Sequence, residues 1–423
     1  MYNFYFRFDK INNLTKVFLK NQSNNFEVKI EEILNIILEN ILINYSYDKI
    51  LFLIDKNITN FYFEKNTIKI LDTKDKIKYI FFEIDEYCKD INFIIKLWEI
   101  FNDNELSRKS FIIAIGGGTL LDITGFAAST YKRGIHFGFI PTTFLSMIDA
   151  SFGGKNAVNF KGIKNLIGTT NQPDFILLIP FFLYSLSDID FISGFAEFTK
   201  YLLLDNSFYG KFFINLIKFN KKDRLNLSKD KNLNIFYKND HNKTEKFSIK
   251  ELKEFITQNP LYLIECLKIK YKYVKNDLLD YNRRHILNLG HTVSHGIELV
   301  LNLSHGLALY TGLFLELKII NKLKISNNLK IIEKVNKIYE TFELPYNINE
   351  AFKMQNNMEL DQWLSENNLS RQNLYEIIIK KIHQDKKNKD NSYIIPFFDK
   401  RNNIKLKKID YKIFDDALLK LLD

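Results

Sequence analysis

A chain of 423 residues, 46% hydrophobic and 26% charged, is long enough for two packed cores and has the balance of a globular protein. Its net charge of +10 comes from lysines scattered among acids without a nucleic-acid motif, and its two cysteines, Cys88 and Cys266, exclude a disulfide framework and fit a reducing cytoplasm. The opening apolar run is broken by Arg7 and Asp9, and the longest one, 175–184, contains Pro180, so neither a secretory signal nor a membrane span is expected.

In chain order, ILFLID (50–55) and FIIAIGGG (111–118) predict buried strands that end in turn residues. TLLDITGFAASTYKRG then predicts a helix, and FGFIPTTFLSMID returns to an extended run. Such alternation points to an α/β layer with parallel strands over residues 1–180. The stretch 175–184 reads as a buried strand and turn. Beyond about residue 180, GFAEFTKYLLL, ECLKIKYKYVKNDLL, HTVSHGIELVL and ALYTGLFLELKIINKL carry apolar residues at helical spacing. Residues 181–423 are therefore expected to be mainly helical. Residues 219–248, rich in Lys, Asn and Asp and without periodicity, read as a surface insertion.

Two constellations carry chemistry. IGGGTLLD (115–122) puts three glycines between a strand and a helix, which lets backbone approach a ligand closely and offers helix N-terminal N–H groups to a pyrophosphate. The pattern is not GxGxxG, and a tight strand-to-helix turn is the alternative. Asp122, one helical turn in, needs a partner if it is buried. The second is histidine-based: of seven histidines, His291, His295 and His305 fall within fifteen residues. His291 and His295 share a helix face, while Glu197 lies in a separate apolar helix where an unpaired carboxylate would be costly. Two imidazoles and a carboxylate leave a fourth position open, the pattern of a catalytic zinc site. Spacing leaves open which two of the three histidines bind.

The segments GGGTLLDITGFAASTYKRG, IPTTFLSMIDASFGGKNAV, KNLIGTTNQP, GFAEFTKY and RRHILNLGHTVSHGIE, in this order, closely resemble the 3-dehydroquinate synthase family of sugar-phosphate cyclases. The likeness runs from about residue 50 to 325, with a weaker echo at QDKKNK (384–389). It implies a Rossmann-like NAD-binding α/β domain, a helical metal- and substrate-binding domain and an active site between them. By position, it implies NAD contacts at Asp55, Asn57, Glu86, Lys89, Gly117, Gly118, Asp122, Thr142 and Thr143. It implies zinc, with cobalt as a possible substitute, on Glu197, His291 and His305, which makes His295 face the substrate. Asp149, Lys155, Asn165, Lys200, Lys270, Arg284 and Asn288 fall on the substrate pocket, joined by Asp280 and by Lys387 in the C-terminal echo. Arg133 falls on an arginine that reaches into a neighbouring subunit, so a homodimer is implied.

The reaction so implied converts a seven-carbon sugar acid phosphate, 3-deoxy-D-arabino-heptulosonate 7-phosphate, into 3-dehydroquinate and phosphate in the shikimate pathway. A ring hydroxyl is transiently oxidised by NAD, phosphate is eliminated, the hydride returns, and an internal aldol reaction closes the carbocycle. Lys155, Lys200, Lys270 and Arg284 would supply positive charge to the anionic substrate. Three departures stand out: Leu307 where the family has Glu after its last HG, Asp280 where it has Glu, and a short link from His295 to His305. Leu307 is expected to weaken the metal site without abolishing it, and Leu307→Glu to tighten it if the pocket has room. The competing readings are a sibling cyclase with another sugar phosphate, a metal-dependent polyol dehydrogenase and a ligand-binding paralogue. Arg284 and Asn288 favour the dehydroquinate-forming branch over the sibling, and net NADH release would reveal the dehydrogenase.

Overall fold

The computed structural model describes residues 2–9, 14–20, 33, 36–42, 46–58, 76–227, 246–326, 328–385 and 391–422. Lys387 lies outside them, as does 228–245, most of the segment read as an insertion. The chain divides into two compact units, Met1–Gly194 with Pro260–Asp280, and Phe195–Asn259 with Tyr281–Asp423. The helical stretch 260–280, which carries Lys270, thus belongs with the α/β unit.

The first unit is built on a seven-stranded sheet. Its strands are β1 (Tyr2–Asp9), β2 (Leu14–Lys20), β3 (Ile50–Asp55), β4 (Ile77–Phe82), β5 (Phe111–Gly116), β6 (His136–Pro141) and, after the hairpin described below, β9 (Phe175–Leu178). The order is β1-β2-β9-β6-β5-β3-β4. All neighbours are parallel except β1 and β2, which pair antiparallel at one edge. Every residue of β5 is buried, as expected of a parallel strand covered on both faces. The chain passes from β3 outward to β4 and then returns to place β5 on the other side of β3. That reversal is a topological switch point, the place where open α/β sheets bind ligands beyond their strand ends.

Helix α1 (Ile91–Asp103) starts at Asp90, whose carboxylate accepts from Asn92 N at 2.6 Å, and it buries Ile94, Leu97 and Phe101 along one face. Helix α2 (Gly118–Thr130) buries Leu120, Leu121 and Ile123 to Ala128. Only a residue without a side chain fits at Gly125, where an added Cβ would lie 2.1 Å from Asn156 Oδ1. A separate hairpin, β7 (Lys155–Phe160) with β8 (Ile163–Thr170), forms its own two-stranded sheet. The apolar run 175–184 is β9 followed by a 3-10 turn begun by Pro180, as its sequence predicted.

Helices dominate the rest: α3 (Asp188–Leu204), α4 (Asn206–Leu227), α5 (Ile249–Gln258), α6 (Leu261–Val274), α7 (His291–Leu301) and α8 (His305–Lys322). Beyond them lie α9 (Leu329–Phe342), α10 (Ile348–Asn356), α11 (Leu360–Glu366), α12 (Arg371–Asp385) and α13 (Tyr411–Leu422). Residues 219–227 continue α4, a difference from the aperiodic reading; lysine, arginine and leucine are good helix formers and need no strict apolar stripe. An antiparallel hairpin, β10 (Ser392–Phe398) and β11 (Ile404–Asp410), was not anticipated. In the core of this unit α8 is buried nearly all along, from Gly306 to Leu317. Among the described residues no helix is long and apolar enough to cross a membrane.

Candidate functional site

In the first unit the residues assigned to NAD stand beyond the carboxyl ends of four adjacent parallel strands. Glu86 and Lys89 follow β4, Asp55 ends β3 with Asn57 just after it, Gly117 and Gly118 follow β5, and Thr142 and Thr143 follow β6. Gly117 is the N-cap of α2 and brings no side chain to cap it, so the first turn of α2 receives no cap from that position. The turn is crowded: a Cβ at Gly116 would lie 2.7 Å from Leu120 Cδ2 and one at Gly117 3.1 Å from Thr143 Cγ2. Asp122 has the partner that its burial requires, Lys89 Nζ at 2.6 Å. Burial raises the Asp122 carboxyl above its usual value while Lys89 pulls it back down. Burial likewise raises Asp55, against a hydrogen bond from Asn57 N. Glu86 accepts from Thr119 Oγ1 at 3.0 Å and Asn159 Nδ2 at 3.1 Å, and the Asn159 side chain accepts from Asn165 N at 2.9 Å.

Four substrate candidates of this unit form two ion pairs. Lys270 Nζ lies 2.9 Å from Asp149 Oδ1 and donates to the Asp149 carbonyl at 2.8 Å; Lys155 pairs with Asp280. Arg133 is exposed, and it sits in a run of positive φ: Lys132 at 48°, Arg133 at 66° and Gly134 at 110°. Two side-chain-bearing residues in that region represent stored strain, of the kind that functional segments retain.

The second unit gathers the metal candidates. His291 Nε2 and His305 Nε2 approach the same oxygen, Glu197 Oε1, at 3.0 and 3.2 Å. One ligand atom from each of the three residues lies within 4.8 Å of the others. Donors around a tetrahedral zinc with bonds of about 2.0–2.1 Å would stand roughly 3.3 Å apart, so the donor set fits such an ion. The other oxygen of Glu197 pairs with buried Lys200, one helical turn along α3. His295, one turn beyond His291, stands outside this trio, its ring centre 5.4 Å from that of His291 and 6.5 Å from that of His305. Ring spacing does not tell the two neighbours of His291 apart, since His305 lies 5.3 Å from it; what sets His291 and His305 together is the approach of both Nε2 atoms to Glu197 Oε1.

Each histidine of the trio is held by its other nitrogen. His291 Nδ1 donates to the Leu289 carbonyl at 3.2 Å, and His305 Nδ1 lies 3.1 Å from Glu298 Oε2. These contacts fix the rings with Nε2 facing Glu197, the arrangement of outer partners around metal-bound histidines. Burial lowers His291 to about 4 and so keeps it neutral. Burial acts in the same direction on His305, but hydrogen bonds to Glu197 and Glu298 overcome it and raise the group to about 10. Burial also opposes charge on Glu197; Lys200 and then His291 nevertheless hold that carboxyl well below its ordinary value.

Sequence reasoning missed Glu298. Its signal was an acid seven residues before a histidine, in the apolar second half of the helix. Its presence changes the expectation for Leu307: that side chain is fully buried in α8, and His305 takes its carboxylate from the preceding helix instead. A glutamate at 307 would place a carboxylate at a fully buried position, which is costly without donors to meet it. Arg284, 4% exposed, and Asn288 lie in the short 3-10 helix Arg283–Asn288 just before the His291 helix.

Comparison with known proteins agrees with these features. A family model described as 3-dehydroquinate synthase N-terminal matches residues 79–193, and one described as 3-dehydroquinate synthase C-terminal matches 194–388. The chain is 35% identical to a 3-dehydroquinate synthase of Pyrococcus abyssi over 275 residues, covering 64% of this chain and 72% of the relative. It is 32% identical to that of Clostridium tetani over 330 residues, 77% and 74% of the two chains. Among solved structures, 2-deoxy-scyllo-inosose synthase complexed with carbaglucose-6-phosphate, NAD+ and Co2+ shares the fold, with a TM-score of 0.66 at 17% identity over 98% of this chain and 99% of that one. The 2-epi-5-epi-valiolone synthase of Streptomyces hygroscopicus, with NAD+ and Zn2+ bound, gives 0.66 at 18% identity over 96% of each chain.

Proposed function

From the premise that this chain belongs to the 3-dehydroquinate synthase family of carbon–oxygen lyases, we propose that it converts 3-deoxy-D-arabino-heptulosonate 7-phosphate into 3-dehydroquinate and phosphate. The observation that carries this reading to the residues is the convergence of two outer-held imidazoles on one buried carboxylate, Glu197. Glu197, His291 and His305 would hold zinc or cobalt, and the strand-end residues from Asp55 to Thr143 would hold NAD. When bound, NAD supplies a reversible hydride acceptor and the metal a Lewis acid toward the substrate hydroxyl.

The chain's own residues do the rest. Asp122 and Lys89 neutralise each other at 2.6 Å, which keeps a buried charge pair beside the glycine turn without leaving either ion alone. Lys200 neutralises the Glu197 oxygen turned away from the imidazoles. Lys155, Lys270 and Arg284 are the residues whose charge suits the carboxylate and phosphate of the substrate. Asp149 and Asp280 hold the two lysines in place until the anion arrives. His295, Asn288 and Asn165 would face the substrate. The proposed location is the cytoplasm, which the content of only two cysteines fits.

The test is phosphate release from the heptulosonate phosphate by purified, metal-loaded protein. Release should require NAD in catalytic amount only, stop with a chelator, and leave no accumulating NADH absorbance. Stoichiometric NADH would favour a polyol dehydrogenase instead, and no phosphate release from this substrate would favour a sibling cyclase.

The proposed assembly is a homodimer in which Arg133 serves the neighbouring subunit's site. Its exposure and its strained backbone support this role. Arg133→Ala and Glu197→Ala proteins should each be inactive, yet regain activity when subunits are exchanged, because one site of the mixed dimer is intact. Demonstrated exchange without recovery would remove Arg133 from a shared site.

A further inference from the structure

Helices α7 and α8 each begin on a candidate metal ligand, His291 being the first residue of one and His305 the first of the other. The separation of the two imidazoles therefore depends on how the first turn of α7 is fastened to α8. The residue before His291 cannot fasten it, because Gly290 has no side chain and stands at φ +83°. Three N–H groups of that helix start instead donate to a single carboxylate on α8, Glu316. Gly290 N reaches Oε2 at 2.9 Å, while Thr292 N and Val293 N reach Oε1 at 2.7 and 3.1 Å.

Glu316 is 1% exposed. A carboxylate so placed is costly unless hydrogen-bonded, and here it meets both N–H donors and the positive end of a helix dipole. The approach of the two helices is equally specific. A Cβ at Gly312 would lie 2.5 Å from the Gly290 carbonyl, and one at Gly290 would lie 2.9 Å from Leu313 Cα. Simple core filling would be met by another apolar residue, like the buried Leu313, Leu315 and Leu317 around it on α8. Such a residue would leave the helix start without its three acceptor contacts.

We propose that Glu316 is a positioning residue for the metal centre: by tying the N-terminal turn of α7 to α8, it sets where His291 Nε2 stands relative to His305. The inference rests on the reading of Glu197, His291 and His305 as metal ligands, and Glu316 acts through α7 without joining that trio.

The experiment titrates metal-free wild-type, Glu316→Gln and Glu316→Ala proteins with Co2+ and with Zn2+, following cobalt by its visible absorption. Glutamine keeps an oxygen for Thr292 and Val293 but turns an NH2 group toward Gly290 N, so it rescues in part. Affinity should fall in the order wild type, Gln, Ala, the last by about tenfold or more, as for lost outer partners. The Ala protein's cobalt bands should also shift in position or intensity, because the ligand geometry has changed. Two folded variants with wild-type affinity and spectrum would reduce Glu316 to a structural tie and overturn the proposal. Should the Ala protein not fold, the Gln protein decides by the same criteria. Wild type that binds neither ion would overturn the metal reading itself, an outcome distinct from equal binding by all three.

Discussion

His291→Ala is expected to lose both bound metal and turnover, whereas His295→Ala loses turnover and retains its metal. The two residues lie one turn apart on α7; His291 brings a nitrogen to Glu197, at 3.0 Å, and belongs to the candidate metal trio. Its other nitrogen is engaged by the Leu289 carbonyl, so the ring has one orientation and removing it removes a ligand. Metal affinity should fall by more than the roughly 10–100-fold that an outer partner costs. His295 belongs to the same helix face but not to the trio. A substrate-facing histidine that moves a proton contributes about 10²–10⁴-fold to rate, and that is the loss expected in His295→Ala. Elemental analysis of the two proteins, beside phosphate-release assays, separates the cases. Equal metal loss in both would overturn the division between ligand and substrate-facing histidine.

Arg284→Met should lower kcat/KM more than Lys155→Met, and each by at least tenfold, with folding and metal content retained. A charge-assisted contact to a substrate anion is worth about 1.5–3 kcal/mol, which sets the scale of roughly tenfold to somewhat over a hundredfold. Arg284 is 4% exposed, in surroundings that strengthen its contact with an anion. The Lys155 side chain is 54% exposed and already paired with Asp280, so part of its interaction is screened and part is exchanged between carboxylates. Steady-state kinetics with the heptulosonate phosphate, thermal unfolding and metal analysis check the prediction together. Wild-type kinetics in both variants would show that neither residue holds the substrate.

The elements that could be read from sequence were those with a strong local period. ILFLID and FIIAIG are uninterrupted apolar runs because parallel strands β3 and β5 are buried on both faces. Helices α7 and α8 announced themselves through apolar residues three and four apart. The β10–β11 hairpin did not: its strands are separated by polar turn residues and β11 alternates lysines with apolar residues, a weak signal inside a helical stretch. Nor did sequence show that 260–280, helical like its neighbours, belongs with the α/β unit, because helix period says nothing about which core a helix joins.

The sequence by itself determined the α/β class of the first half, the helical character of the second, the glycine turn and the stock of candidate metal-binding side chains. Those follow from interactions among near neighbours in the chain, which period and residue type record. Tertiary structure alone decided which two histidines meet Glu197, since His305 and Glu197 are 108 residues apart and no local spacing constrains them. It also decided that Glu298 rather than position 307 steadies His305, and that Glu316 fastens the start of the His291 helix. The physical reason is common to all three: a buried carboxylate is tolerated only where donors converge on it, and those donors come from segments brought together by packing.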